Sequence, residues 1–371
     1  MLSEHKTRES SRTGLFDDVA GGHEQIVFCH DRESGLRAII AMHDTRLGPA
    51  LGGIRMRPYP SEGEAVRDVL RLARAMTYKS ALAGLDLGGG KSVIIGDPYT
   101  QKAESLFRAM GRQIEALGGR YICATDIGTT AQDLQFVRRE TRHVTGLPEA
   151  WGGLGDTSVL TGLTVFLGMK AAAAEAWGND SLQGRRVLVQ GAGKVGSHLM
   201  EHLASEGAEI LVADVVGLSA QRAAERFGAR IVPSEDVFDE DCDVFSPNAL
   251  GGVLNDETIP GLRCRIVCGG ANNQLAEEAF EEDLFRRGIL YAPDFMVNSG
   301  GVISAECELL GAPLARAEIV AQGVTDTARR VFAAARERAI PPSAAARSLA
   351  EQRIEQVSNA RKGFLPRRST E

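Results

Sequence analysis

One hexapeptide constrains this chain more than any other feature. It is Gly191, Ala192, Gly193, Lys194, Val195 and Gly196, set between an apolar run over 186–190 and a helical pattern over 195–205. The first glycine makes the turn out of a strand, the second lets backbone approach a diphosphate, and the third lets helix and strand pack closely. The helix then aims its N-terminal amides at the phosphates. Three such glycines alone are a weak signal. Here a second strand, 209–213, ends at Asp214, eighteen residues beyond Gly196, where a ribose-binding carboxylate is expected. That carboxylate can accept both ribose hydroxyl protons but repels a 2′-phosphate, and Val215, Val216 and Gly217 bring no arginine to offset it. The expected cofactor is therefore NAD rather than NADP.

From about Gly184 strands and helices alternate. The helix over 195–205 stops at Gly207, a second helix spans 219–227, and further strands fall near 243–245, 265–268 and 289–291. This is the grammar of an α/β, doubly wound parallel sheet. At 371 residues the chain exceeds what one core usually supports, so two domains are expected. The N-terminal half mixes strands (25–30, 36–43, 92–95, 121–124) with helices over about 61–78 and 104–117. Ser61 and Glu64 are spaced as a capping box for the first of these helices. Two alanine- and arginine-rich helices close the chain, roughly 316–338 and 343–361, and are expected to return to the first domain.

Composition narrows the function class. The net charge is -7 with no long basic block, which argues against nucleic acid. No apolar stretch is expected to span a bilayer, and residues 1–14 carry Glu4 and Glu9 without the apolar core of a signal peptide, so a cytoplasmic protein is expected. The six cysteines (29, 123, 242, 264, 268 and 307) form no C-x-x-C pair and are expected as buried thiols, with Cys264 and Cys268 on one strand face. His198 and His202 stand four apart on one helix, yet no third ligand is evident. No metal is expected.

Long motifs elsewhere carry a resemblance. They are Gly48, Pro49, Ala50, Leu51, Gly52, Gly53; then Met76, Thr77, Tyr78, Lys79; then Gly88, Gly89, Gly90, Lys91; then Asp126 to Thr130; then Ala271, Asn272, Asn273, Gln274, Leu275; and last Asn298, Ser299, Gly300, Gly301, Val302. Over roughly 22–362 the chain resembles the glutamate/leucine/phenylalanine/valine dehydrogenase family, and within it the leucine and valine dehydrogenases. The resemblance implies a substrate and dimerisation domain over 15–147, a dinucleotide domain over 148–328, C-terminal helices over 329–371 packing back on the first domain, and a homo-oligomer.

The chemistry explains the residue types. Oxidising an α-amino acid moves a hydride from Cα to a nicotinamide and leaves an iminium that water attacks. The substrate carboxylate needs a cation, which the resemblance assigns to Lys79; a partly neutral amine must take a proton or activate water, and Lys91 fits. A free lysine titrates near 10.4, so work at about pH 8 asks for a drop of about two units, roughly 2.7 kcal/mol. Lys79 nearby, the cationic ring and exclusion of water all push that way. Asp126 is expected to shuttle protons, with Asn273 and Asn298 beside the cofactor. Glutamate dehydrogenases carry a lysine and a serine at the positions of Leu51 and Ala305, so a substrate side-chain carboxylate would lie unpaired here, at a cost of several kcal/mol. Leu51, Met76, Ala124, Val302 and Ala305, with Gly52 and Gly53, are expected to surround a branched aliphatic side chain. Ala305 is smaller than the aliphatic residue usual in leucine dehydrogenases, which leaves an aromatic substrate as an alternative. Ser299 and Asn248 stand where relatives often carry alanine and cysteine. A non-catalytic paralogue binding NAD or an amino acid is the remaining alternative, opposed by the intact Lys79, Lys91 and Asp126.

Overall fold

The computed structural model describes residues 22–360. The leader expected over 1–14 and the positions 361 and 362 that end the last helix and the resemblance lie outside the described residues. The first sheet contains β1 (Gln25–Asp31), β2 (Leu36–Asp44), β3 (Ala50–Arg57), β4 (Gly88–Ile95) and β5 (Tyr121–Thr125) in the order β1-β2-β4-β3-β5. β2 runs antiparallel to β1 and β4, whereas β3 lies parallel between β4 and β5. One face is covered by α1 (Glu62–Leu82), whose Val66, Val69, Leu70 and Ala73 bury against Ile39, Ala41 and Val93. The other is covered by α2 (Glu104–Glu115) and α3 (Ala131–Arg138), through Phe107, Met110, Ile114 and Leu134 against Ile40, Ile54 and Tyr121.

The structure corrects the expected elements where glycine is dense. Gly52 and Gly53 lie inside β3 and the Gly88–Gly90 run lies inside β4, so what reads as loop is the centre of the sheet. Glycine carries no strand signal, but here it is required by close approach. A methyl on Gly52 would overlap the Gly90 carbonyl, and one on Gly90 would stand 2.8 Å from the Tyr121 ring. That ring is fully buried beneath the glycines, and its hydroxyl donates to the Gly52 carbonyl at 2.6 Å. The capping box is half formed: the Ser61 hydroxyl accepts from the Glu64 amide, while the Glu64 carboxylate turns to Arg67.

The second sheet contains β6 (Arg186–Gln190), β7 (Glu209–Ala213), β8 (Arg230–Ile231), β9 (Val244–Pro247), β10 (Ile266–Val267) and β11 (Leu290–Tyr291). Its order is β11-β10-β9-β6-β7-β8 and every pair is parallel, the doubly wound arrangement expected. The chain reverses its direction of travel between β6 and β9, which opens a crevice at the carboxyl ends of those strands. β10 is only two residues long, so Cys264 and Cys268 do not share a strand face. They bury in separate cores, Cys264 with Val267 and Leu284, and Cys268 with Val244 and Ile266. All six cysteines are free and buried.

A helix the sequence reading passed over joins the two sheets. α4 (Ser158–Trp177) is long and apolar enough, by length and composition, to cross a bilayer, contrary to expectation. Its Val165, Met169, Ala171, Ala172 and Ala173 are instead buried in the core that also takes Val187, Val189 and Ile266. α5 (Lys194–Glu206), α6 (Gly217–Phe227), α7 (Phe280–Arg286), α8 (Asp294–Val297) and α9 (Gly300–Leu309) complete this half. α10 (Leu314–Arg338) packs along α4 and α9, and α11 (Pro342–Ala360) folds back over α10 and α1. There Tyr78 donates to Glu351 at 3.2 Å and Arg353 to the Leu85 carbonyl at 2.9 Å, so the chain's last described helix returns to the first domain.

Candidate active site

A cleft between the two halves holds a cavity of about 280 Å³. Its walls include Leu51, Gly52, Gly53, Met76, Lys79, Lys91, Ala124, Asp126, Val302 and Ala305, together with Val195, Asn273 and Asn298 from the dinucleotide side. Residues from the fingerprint and from all six motifs of the resemblance therefore meet at one place. Next to it lies a wider space of about 640 Å³, lined by Lys194, Asp156, Thr129 and Glu149. The two share Thr125, Gly146 and Thr157, so they are adjoining parts of one cleft.

Lys79 and Lys91 reach this cavity from different elements. Lys79 sits near the end of α1 and Lys91 follows the glycines of β4; they are 8% and 6% exposed, which for lysine demands partners. Lys79 Nζ donates to Asn272 Oδ1 at 2.9 Å, and Asn298 Nδ2 donates to the same oxygen at 2.9 Å. Burial brings the Lys79 ammonium down to about 8, with the charge of Lys91 adding to the effect and Asp294 and Asp126 opposing it. Lys91 Nζ stands 3.1 Å from Asp126 Oδ2. Burial lowers its pKa as well, Asp126 pulling it back up and Arg55 pushing it further down. β5 ends where Asp126 begins its loop, and Thr129 pins that loop by accepting from the Asp126 amide and donating to the Ile54 carbonyl. Burial pushes the Asp126 carboxyl up, but Lys91 and Arg55 together hold it below the usual carboxylate range.

Three charged or amide-bearing residues lining the cavity escaped sequence reasoning. Arg55, on β3, donates to both Asp126 and Asp68. Asn272 bridges Lys79 to Asn298. Asp294, at the start of α8, is buried beside Lys79; burial raises its carboxyl pKa and Lys79 opposes that rise. Asn272 lies inside a motif quoted for the resemblance, and only its contact was unforeseen. Arg55 and Asp294 reach the site through long-range packing that no local spacing encodes.

The fingerprint forms the turn between β6 and α5. Gly191 has φ 101, left-handed backbone that favours glycine, and a methyl on Gly193 would meet nothing within 4 Å, leaving bare backbone at the helix start. Asp214 accepts from the Ala192 amide and the Val216 amide, both at 2.8 Å, which fixes its carboxylate at the lip of that turn. Lys194 pairs with Asp156 across the wider space at 2.9 Å. The bare glycine turn, the helix start and the carboxylate beside it fit a dinucleotide. Among the described residues, Asn298 Oδ1 and Ser299 Oγ are buried without a hydrogen-bond partner, whereas Asn248 Oδ1 accepts from the Gly270 amide. His202 stacks on Phe166 and His198 faces Glu201, apart from the cleft.

A doubly wound sheet whose switch-point crevice faces a lysine-lined cavity on a second domain defines a two-domain dehydrogenase. Two family models match the chain, "Glu/Leu/Phe/Val dehydrogenase, dimerisation domain" over 23–143 and "Glutamate/Leucine/Phenylalanine/Valine dehydrogenase" over 152–223 and 212–362. The leucine dehydrogenase of Thermoactinomyces intermedius is 51% identical over 343 residues, 92% of this chain and 94% of that protein. The valine dehydrogenase of Streptomyces coelicolor is also 51% identical, with the same coverage. The crystal structure of L-tryptophan dehydrogenase from Nostoc punctiforme superposes with a TM-score of 0.82 at 41% identity, covering 93% of this chain and 99% of that one. The chain belongs to the Glu/Leu/Phe/Val dehydrogenase family.

Proposed function

We propose that the protein catalyses the reversible, NAD-dependent oxidative deamination of a branched-chain aliphatic L-amino acid to its 2-oxo acid and ammonia. The observation that carries this reading is the meeting of two buried lysines and a largely buried aspartate in one small cavity that sets an apolar patch, Leu51, Met76, Ala124, Val302 and Ala305, beside them. Lys79 holds the substrate carboxylate, and its Asn272 bond fixes the ammonium without neutralising it. The dinucleotide, when bound along Gly191, Ala192, Gly193, Lys194, Val195 and Gly196 with its ribose on Asp214, supplies the hydride acceptor for Cα. Asn273 and Asn298 edge the cavity on that side. Lys91 accepts a proton from the attacking water, and Asp126 moves protons to and from the departing amine. Leu51, Met76, Ala124, Val302 and Ala305 receive the aliphatic side chain, and none of them can pair a second carboxylate.

Asp214 supports NAD over NADP, since a 2′-phosphate would meet a carboxylate already fixed by two amides. We also propose that the division at 147/148 and 328/329 separates substrate domain, dinucleotide domain and closing helices, and that the chain works as a cytoplasmic homo-oligomer. The family model for its first domain is described as a dimerisation domain, and Phe28 on the edge strand β1 is 60% exposed. An aromatic substrate is the second reading, favoured by the small Ala305 and by the 41% identity to the tryptophan dehydrogenase.

The test is reductive amination of a panel of 2-oxo acids with NADH and NADPH compared. The expected outcome is highest kcat/KM for 4-methyl-2-oxopentanoate or 2-oxoisovalerate with NADH. A preference for phenylpyruvate or indolepyruvate supports the second reading, and no turnover across the panel refutes both.

A further inference from the structure

Beneath the cleft, β3 directs a third cation at the reacting carboxylate. Arg55 is 6% exposed; its Nε donates to Asp126 Oδ2 at 2.7 Å and its Nη1 to Asp68 Oδ2 at 3.0 Å. The Tyr59 hydroxyl donates to that same Asp68 oxygen at 2.8 Å, so the guanidinium is held from behind. Lys91 Nζ meets Asp126 at 3.1 Å on the same oxygen as Arg55, Oδ2. A carboxylate oxygen offers two lone-pair directions, and both on Oδ2 are engaged. Oδ1 receives no hydrogen bond among the described residues.

We propose that Arg55 is a positioning residue for the deamination chemistry: it locks Asp126 through Oδ2, leaves Oδ1 as the oxygen that exchanges protons with the substrate amine, and by its fixed charge helps keep Lys91 a proton acceptor. This rests on the dehydrogenase reading above. Protonation of Asp126 on Oδ2 would require breaking a charge-assisted bond to Arg55 or Lys91, whereas Oδ1 can take a proton without disturbing either. A guanidinium never loses its charge near neutral pH, so the field it exerts is constant across the working range. Lys91 is faced by Asp126 at the end of β5, by Arg55 on β3, and by Asp68 and Lys79 on α1. Burial is the largest influence lowering it, and Arg55 adds to that; Asp126 and Asp68 oppose. A neutral residue at position 55 therefore removes a repulsion from Lys91 and an attraction from Asp126, and both groups titrate higher.

Full-length wild type, Arg55→Gln, Arg55→Lys and Asp68→Asn separate this role from a structural one. Competitive acylation of Lys91 against pH, read by mass spectrometry, gives its titration midpoint without needing turnover. The pH profile of kcat/KM for L-leucine gives the same group during catalysis, and NADH fluorescence reports the intact fold. In Arg55→Gln the midpoint and the acid limb are expected to rise by about one unit or more. Arg55→Lys is expected to keep both near their wild-type positions while kcat falls about tenfold and KM changes little, because the charge survives and the geometry loosens. Asp68→Asn is expected to move the midpoint the other way, which decides the matter should Arg55→Gln not fold. Unmoved midpoints in Arg55→Gln or Asp68→Asn would overturn the inference. Lack of turnover by the wild type would instead overturn the dehydrogenase reading, since the labelling bears on Arg55 alone.

Discussion

Lys79 and Lys91 lie twelve residues apart, one on a helix and one on a strand, and only the tertiary fold makes them neighbours. Their place at a cavity was legible in the sequence because a glycine run before Lys91 strips side chains from a place something must enter. The cause of the stripping was not legible. Gly53 clears space for the Asp126 carboxylate, since a methyl there would stand 2.8 Å from Asp126 Cβ and closer still to the Thr125 carbonyl. Gly53→Ala must therefore displace Asp126 or β5. The expected result is a fall in kcat of about 10–10², as reacting groups move by a fraction of an ångström to one ångström, with stability lowered by about 1–3 kcal/mol. Steady-state kinetics and a thermal melt check it; unchanged kcat would mean that Asp126 tolerates displacement and has no fixed role. Arg55 and Asp294 were invisible at this scale for the opposite reason, since a lone arginine or aspartate in an apolar stretch does not declare its distant partner.

Elements with a clear period read correctly, and elements rich in glycine or uniformly apolar did not. α1 and α2 follow the spacing of their buried residues, although α1 runs on to Leu82, past the point near 78 where its apolar pattern fades. β3 went unread because Gly52 and Gly53 interrupt it, and α4 because an all-round apolar helix has no period to detect. The union of α7 and α11 carries its own pH dependence. Glu281 is buried, accepts from the Ser343 amide at 2.7 Å, and is pushed up to about 7 chiefly by that burial. A carboxyl whose folded pKa is raised favours the folded state in its protonated form. Its contribution is full below the unfolded value near 4.5 and is lost as pH rises through about 7. Glu281→Gln keeps an acceptor for Ser343 and never ionises. At pH 8 it is expected to be more stable than wild type by on the order of 2–3 kcal/mol, with little difference at pH 4.5. Denaturant melts at the two pH values check this, and a constant difference between them would show that Glu281 does not titrate in this range.

The whole molecule sets a switch-point crevice against a lysine-lined cavity and ties the two halves with buried helices. α4 and α10 pack together against apolar residues of both halves, α11 closes over α1, and Lys194 pairs with Asp156 across the wider part of the cleft. This two-domain plan was legible from the alternation after Gly184 and from the fingerprint, because strands and helices that must bury on both faces leave a strong pattern. The proposed deamination depends on a neutral amine at Lys91 acting inside that cleft. The most direct measurement is the rate of reductive amination and of the reverse deamination in Lys91→Gln beside wild type, with NADH binding followed in both. Turnover is expected to fall by on the order of 10²–10⁴ while NADH binds as before. Turnover near the wild-type rate in Lys91→Gln would overturn the role proposed for that amine.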